Sequence, residues 1–259
     1  MDEAQTKDVG DLLNKVPAIT IIFWIVKILA TTVGETVADV LSTTLKLGLV
    51  VTSYVMAGLL VIALFFQFRS KKYVPGIYWI VVVFISVVGT LISDNLVDNL
   101  GVSLLITTLI FGSALVVVLT WWYRSENTLS VHTIYTFRRE LFYWAAILCT
   151  FSLGTSAGDL LAERLGVGYA LSALIFASVI GLIAVAHRLG INGILAFWLA
   201  YIFTRPLGAS IGDLLSQPAA AGGLGFGTVR PSVLFLLVIV GLVRYLTTQE
   251  ERRVRAPVG

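Results

Sequence analysis

The chain is poor in cysteine, histidine and charge, and each shortage rules something out. Cys149 is the only cysteine, so no disulfide can close within the chain and no thiolate cluster can hold a soft metal. The two histidines, His132 and His187, lie far apart and outside any HExxH pattern, which removes a catalytic zinc centre. Charged residues fill 13% of 259 positions, against roughly 25% in soluble domains. Too few polar side chains remain to wrap a water-soluble globule. Basic residues stand singly or in short groups and never build the dense patch that nucleic acid or lipid headgroups require, so no nucleic-acid partner is expected. The first residues carry Asp2, Glu3, Lys7, Asp8 and Asp11 in place of a basic n-region and cleavage site, so the first apolar run is expected to stay in the protein.

What the chain has in abundance is apolar sequence, 58% of all residues. A bilayer core takes about 20 helical residues to cross, and eight runs are long enough: 17–38, 48–68, 73–93, 101–122, 140–158, 166–187, 190–210 and 228–247. These imply an all-α polytopic membrane protein whose main partner is the lipid bilayer.

One pattern is written four times: a Trp, ten residues on a Gly, five more on an Asp. The sets are Trp24, Gly34, Asp39; Trp79, Gly89, Asp94; Trp144, Gly154, Asp159; and Trp198, Gly208, Asp213. Each opens a two-span unit whose second span begins with a Leu-Gly pair: Leu47 and Gly48, Leu100 and Gly101, Leu165 and Gly166, Leu224 and Gly225. An even number of spans per unit gives all four the same orientation, hence parallel repeats about a pseudosymmetry axis along the membrane normal. The expected divisions are an N-terminal segment 1–16, repeats at 17–68, 73–122, 140–188 and 190–247, a linker 123–139 and a tail 248–259. The linker has the composition for an interfacial amphipathic helix, with Tyr135, Trp121 and Trp122 placed for an aromatic belt. The fourth unit departs from the others by a Gly- and Ala-rich link, Pro218 to Gly227.

With eight spans, both termini and the inter-repeat loops share one side, and most of the 18 Lys and Arg residues fall there. The positive-inside rule makes that side, with both termini, cytoplasmic, for a multi-pass protein of the inner (cytoplasmic) membrane.

An ionised group in hydrocarbon costs about 2.5–3.5 kcal/mol on insertion scales, which is tolerated where it faces water or binds a cation. Four symmetry-related Asp residues near one end of the first spans therefore read as a ring. In the first unit Lys27, Thr31, Glu35 and Asp39 recur every four residues as one polar stripe. The matching positions are Val82, Ser86, Thr90, Asp94; Ile147, Phe151, Thr155, Asp159; and Tyr201, Arg205, Ala209, Asp213. Carboxylate and hydroxyl oxygens suit hard cations. The candidate ion ligands, including for a metal, are thus Asp39, Asp94, Asp159, Asp213 and Glu35, with auxiliary oxygens from Thr31, Ser86, Thr90 and Thr155. Lys27 and Glu35 lie eight residues apart, about 12 Å of helical rise, too far to pair; Arg205 is placed to neutralise Glu35 across the bundle, and Lys27 to act as an internal cation beside an acid. The competing reading of each Asp is a helix cap, of each Gly a close-packing point, and of each Trp a space-filler.

The segments Lys-Ile-Leu-Ala-Thr-Thr-Val-Gly-Glu-Thr-Val-Ala-Asp (27–39), Ser-Val-His-Thr-Ile-Tyr-Thr-Phe-Arg-Arg-Glu-Leu-Phe-Tyr-Trp (130–144) and Leu-Gly-Thr-Ser-Ala-Gly-Asp (153–159) carry a resemblance to a bacterial membrane family, repeat of unknown function 347. The resemblance spans essentially the whole chain and implies the four-repeat architecture without a mechanism.

Three functions follow as expectations. The first is a small-cation transporter without enzymatic activity or resident cofactor, exporting a hard divalent ion such as manganese through a carboxylate-lined cavity, with Lys27 and Arg205 balancing charge. The second is a membrane scaffold or sensor whose loops bind a partner, and the third a lipid-modifying enzyme using Asp94 and Asp98. Oligomeric state is not legible in the sequence.

Overall fold

A computed structural model describes residues 14–255. The N-terminal acidic residues and Lys7 lie outside the described residues, as does the end of the expected tail. The described residues form four pairs of long helices joined by short links: α1 (Ile21–Asp39) and α2 (Leu49–Arg69), α3 (Pro75–Asp94) and α4 (Leu104–Glu126), α5 (Phe137–Asp159) and α6 (Tyr169–Arg188), and α7 (Gly193–Ser216) and α8 (Val229–Arg255). All eight are long and apolar enough to cross a membrane. Membrane-spanning helices satisfy their backbone polar groups internally, which a lipid environment demands.

The repeats build two concentric layers. The first helices form a closed inner ring, α1 on α3, α3 on α5, α5 on α7 and α7 back on α1. Each second helix lies outside and packs on the inner helix of the following repeat: α2 on α3, α4 on α5, α6 on α7, α8 on α1. More than half of each inner span is buried and less than a quarter of each outer one, so the outer helices carry the lipid-facing surface.

The motif glycines explain why the ring closes. A Cβ on Gly34 would collide with Ser86, one on Gly89 with Phe151, one on Gly154 with Arg205, and one on Gly208 with Thr31. In every case the intruder sits three residues before the next repeat's own motif glycine, so each helix backbone receives the same position of its neighbour. Small residues at such crossings let helix backbones approach and gain dispersion contacts, which drive association where lipid offers no hydrophobic contrast. The tryptophans close a second cycle: Trp79 packs on Phe23, Trp144 on Tyr78, Trp198 on Tyr143 and Trp24 on Phe197, with ring centroids 5.4–6.4 Å apart. Gly and Trp are therefore packing elements, and two independent cyclic sets establish fourfold pseudosymmetry.

Each of the first three Asp residues is followed by a wide π turn, Val40–Thr44, Asn95–Asn99 and Leu160–Arg164. A left-handed residue then turns the chain: Gly101 at φ 67°, Gly166 at φ 68° and, in the fourth repeat, Gly225 at φ 70°. In the first repeat this place belongs to Lys46 at φ 57°, not to Gly48 as the Leu-Gly pairing suggests; Gly48 instead caps α2. The fourth repeat has no π turn. Its Gly-rich link folds back on the end of α7, with Leu224 and Phe226 donating backbone hydrogen bonds to the carbonyls of Leu214 and Leu215.

At the opposite end, Lys15 makes an ion pair with Glu140 at 2.6 Å, and Gln67 donates to the second oxygen of that carboxylate at 2.9 Å. This buried cluster ties the N-terminal stretch to α2 and α5. The linker forms no amphipathic helix: Asn127 ends α4 in a left-handed conformation, a single 3-10 turn covers Val131–Thr133, and Thr136 caps α5. Val131 and Ile134 are buried there, so the segment folds inward as a short plug. Trp121 and Tyr135 are exposed as expected, but Trp122 is buried against Phe142 and Trp198.

Candidate functional site

The four-residue stride seen in α1 organises the interior into layers. Nearest the basic end stand the aromatics that precede each Trp, Phe23, Tyr78, Tyr143 and Phe197, all buried, with the Tyr78 and Tyr143 hydroxyls 2.6 Å apart. Next come Lys27, Val82, Ile147 and Tyr201, then Thr31, Ser86, Phe151 and Arg205, then Glu35, Thr90, Thr155 and Ala209. Last come the four Asp residues.

The structure brings the acids together. Asp39, Asp94, Asp159, Asp213 and Glu35 line one cavity of about 180 Å³, joined by Asp98, Glu163 and Gln217. Asp98, Glu163 and Gln217 continue the same stride one turn beyond Asp94, Asp159 and Asp213, and extending the pattern by four residues finds them. The Asp residues do not cap helices. Asp39, Asp94 and Asp159 precede the π turns without any side-chain cap bond, and among the described residues no hydrogen bond reaches any of the four Asp carboxylates. Asp213 is 7% exposed, so its carboxylate is held almost wholly inside the protein, facing the cavity.

Beneath the cavity, outside its lining but bonded to Glu35, lies a single guanidinium. Arg205, fully buried, donates through Nη2 to Glu35 at 2.9 Å, to Thr155 at 2.6 Å and to Thr90, while Nη1 approaches the Thr31 carbonyl at 3.5 Å. One side chain from the fourth repeat thus bonds to the other three. Its stem lies against the bare Cα of Gly154. The expected pairing of Arg205 with Glu35 is present.

Other expected residues take different places. Thr31 and Ser86 stand away from the cavity: the Thr31 hydroxyl donates to the Ile28 carbonyl at 2.6 Å, and both side chains fill the space over Gly208 and Gly34. Lys27 meets no carboxylate among the described residues. Its ammonium donates to the Tyr201 carbonyl at 3.1 Å and the Thr204 hydroxyl at 2.8 Å, and lies over the Tyr201 and Phe151 rings at 4.0 and 4.8 Å. The periodicity of one helix places Lys27 on the axis; its partner Thr204 comes from a neighbouring helix and leaves no trace in that periodicity.

Chemically the site is a water-accessible carboxylate bowl over a positively charged floor. Among the described residues no three Asp, Glu, His or Cys side chains stand close enough to ligate one ion together. With that spacing, a cation in the bowl would be held through water rather than by direct ligation to three side chains.

The family model described as Repeat of Unknown Function (DUF347) matches four times, at residues 22–73, 77–128, 142–189 and 196–251. No curated protein and no solved structure matches the chain.

Proposed function

The chain belongs to that family, and we propose that it is a membrane transporter for a small hydrated cation, entered through the carboxylate bowl. The supporting observation is that four repeated Asp side chains line one cavity with Glu35 while accepting no hydrogen bond from the described protein. A capping role would have satisfied them locally. Seven acidic side chains line the bowl, and among the described residues Arg205, bonded to Glu35 from beneath, is the one cation paired with any of them. Coulomb attraction favours a divalent cation, such as manganese or magnesium, over a monovalent one. Asp94 and Asp98 share the cavity with the acids of other repeats, which favours a common cation site over a separate lipid-modifying pair.

The basic loops supply the orientation. Arg69, Lys71, Lys72, Arg138 and Arg188 lie at or beyond the helix ends opposite the bowl, and the positive-inside rule sets that end in the cytoplasm. The bowl then opens away from the cytoplasm, and the Arg205 layer, Lys27 and the aromatic ring close the axis beneath it.

Full-length protein in vesicles loaded with a divalent-sensitive dye tests the proposal. Wild type should carry Mn²⁺ across the bilayer, and Asp94→Asn with Asp159→Asn should cut the rate at least tenfold at unchanged yield of folded protein. Equal rates in wild type and variant would remove the proposal.

A further inference from the structure

The oxygens around Arg205 are arranged for a point charge and not for a guanidinium. A guanidinium is a flat fork of five N–H donors, best met by a bidentate carboxylate and by acceptors spread around its edge. Here three oxygens, from Glu35, Thr90 and Thr155, converge on Nη2 alone, a nitrogen with only two hydrogens. Nε is buried with no partner among the described residues. The two threonine hydroxyls lie 3.3 Å from carbonyls of their own helices, those of Ser86 and Phe151, and that of Thr90 also 3.2 Å from Glu35; when both donate to the carbonyls, their lone pairs turn to the common centre. The Thr31 carbonyl lies 3.5 Å from the neighbouring Nη1.

Symmetry says why Arg205 is there. Glu35, Thr90 and Thr155 occupy one position of the repeat, directly after the motif glycine, and the fourth repeat puts Ala209 in that place, with no oxygen to offer. Arg205, one turn earlier on the same helix, reaches into the gap. Pro206 follows it inside α7 and cannot donate to the Ile202 carbonyl, so the helix lacks a rung beside the arginine.

We infer that this layer is a second, inner cation site, of carboxylate, hydroxyl and carbonyl oxygens suited to a hard ion, and that Arg205 occupies it as a tethered competitor. A cation passing from the bowl displaces the guanidinium, and the guanidinium returns behind it. The inference rests on the transport reading of the bowl, but its binding test stands apart from it.

Mn²⁺ binding to full-length protein in lipid nanodiscs, counted by electron paramagnetic resonance, is the test. Arg205→Met should bind one more Mn²⁺ per chain than wild type, and adding Glu35→Gln should abolish that extra ion. Folded Arg205→Met with wild-type stoichiometry would overturn the inner site. If Arg205→Met does not fold, Arg205→Lys decides: a lysine ammonium is itself a point charge and should keep the melting temperature within about 2 °C of wild type, roughly the shift from 1 kcal/mol or less in a chain this size. A guanidinium-specific site would lose far more, and that result would equally overturn the inference. The bowl is read separately: loss of wild-type Mn²⁺ in Asp94→Asn concerns the bowl alone, and a wild type that binds none would sink the transport reading while leaving the Arg205→Met count to judge the inner site.

Discussion

Replacing Gly89 by alanine probes the ring closure at a contact whose nearest atoms cannot rotate away. A Cβ there would sit 2.7 Å from the Phe151 Cβ and 3.2 Å from both the Phe151 carbonyl carbon and the Ser152 nitrogen. Two of these atoms are backbone, so no side-chain rotation relieves the contact; α3 and α5 must separate by several tenths of an ångström. Overpacking of this kind costs about 1–3 kcal/mol. Alanine also gains about 1 kcal/mol over glycine in a helix interior, so the substitution needs a matched control. Gly58, inside α2, supplies it, since an added Cβ meets nothing within 4 Å. Subtracting the two removes the propensity term and the unfolded-state term together. Gly89→Ala should therefore be less stable than Gly58→Ala by about 1–3 kcal/mol, measured by denaturation in mixed micelles followed by circular dichroism. Equal stability of the two variants would show that the inner helices are not held together at their glycines.

Glu140→Gln should lower stability by about 3–5 kcal/mol, because it leaves the buried Lys15 ammonium without its counter-charge; the same denaturation assay reads it, and a loss under 1 kcal/mol would contradict the buried pairing. Lys46→Gly should raise stability by about 1 kcal/mol, since a left-handed backbone suits glycine; a loss would show that the Lys46 side chain contributes more than its strain costs. Asp94→Asn, by contrast, should change stability by less than about 0.5 kcal/mol, below the usual cost of a lost helix cap, while weakening Mn²⁺ binding.

The repeat, its parallel orientation and the ring of acids could all be read from spacing, because copied units keep their polar points at fixed distances. The Glu35 partnership with Arg205 was legible for the same reason: the two residues occupy neighbouring layers of the repeated pattern, one on α1 and the other on α7. Other features depend on contacts between helices or on turn geometry, which spacing within one helix does not encode. Thr31 and Ser86 share the polar stripe but turn toward the glycines of adjacent helices. Lys27 finds a threonine and two aromatic rings where an acid was expected. The π turns after three of the Asp residues have no composition of their own, and the left-handed position that follows them falls in the first repeat on Lys46, two residues before Gly48. The linker's polar residues suggested a surface helix, but Val131 and Ile134 are drawn inward where the N-terminal stretch crosses the bundle, and Asn14 and Lys15 take up the backbone groups of Ile134.

Counting bound Mn²⁺ by equilibrium dialysis, in wild type and in protein with Asp39, Asp94, Asp159 and Asp213 all changed to Asn, puts the shared acidic cavity to proof. Saturable binding in the wild type that vanishes in the folded quadruple variant is the expected result. Identical binding in the two proteins, or none in either, would mean that the copied carboxylates do not serve a cation.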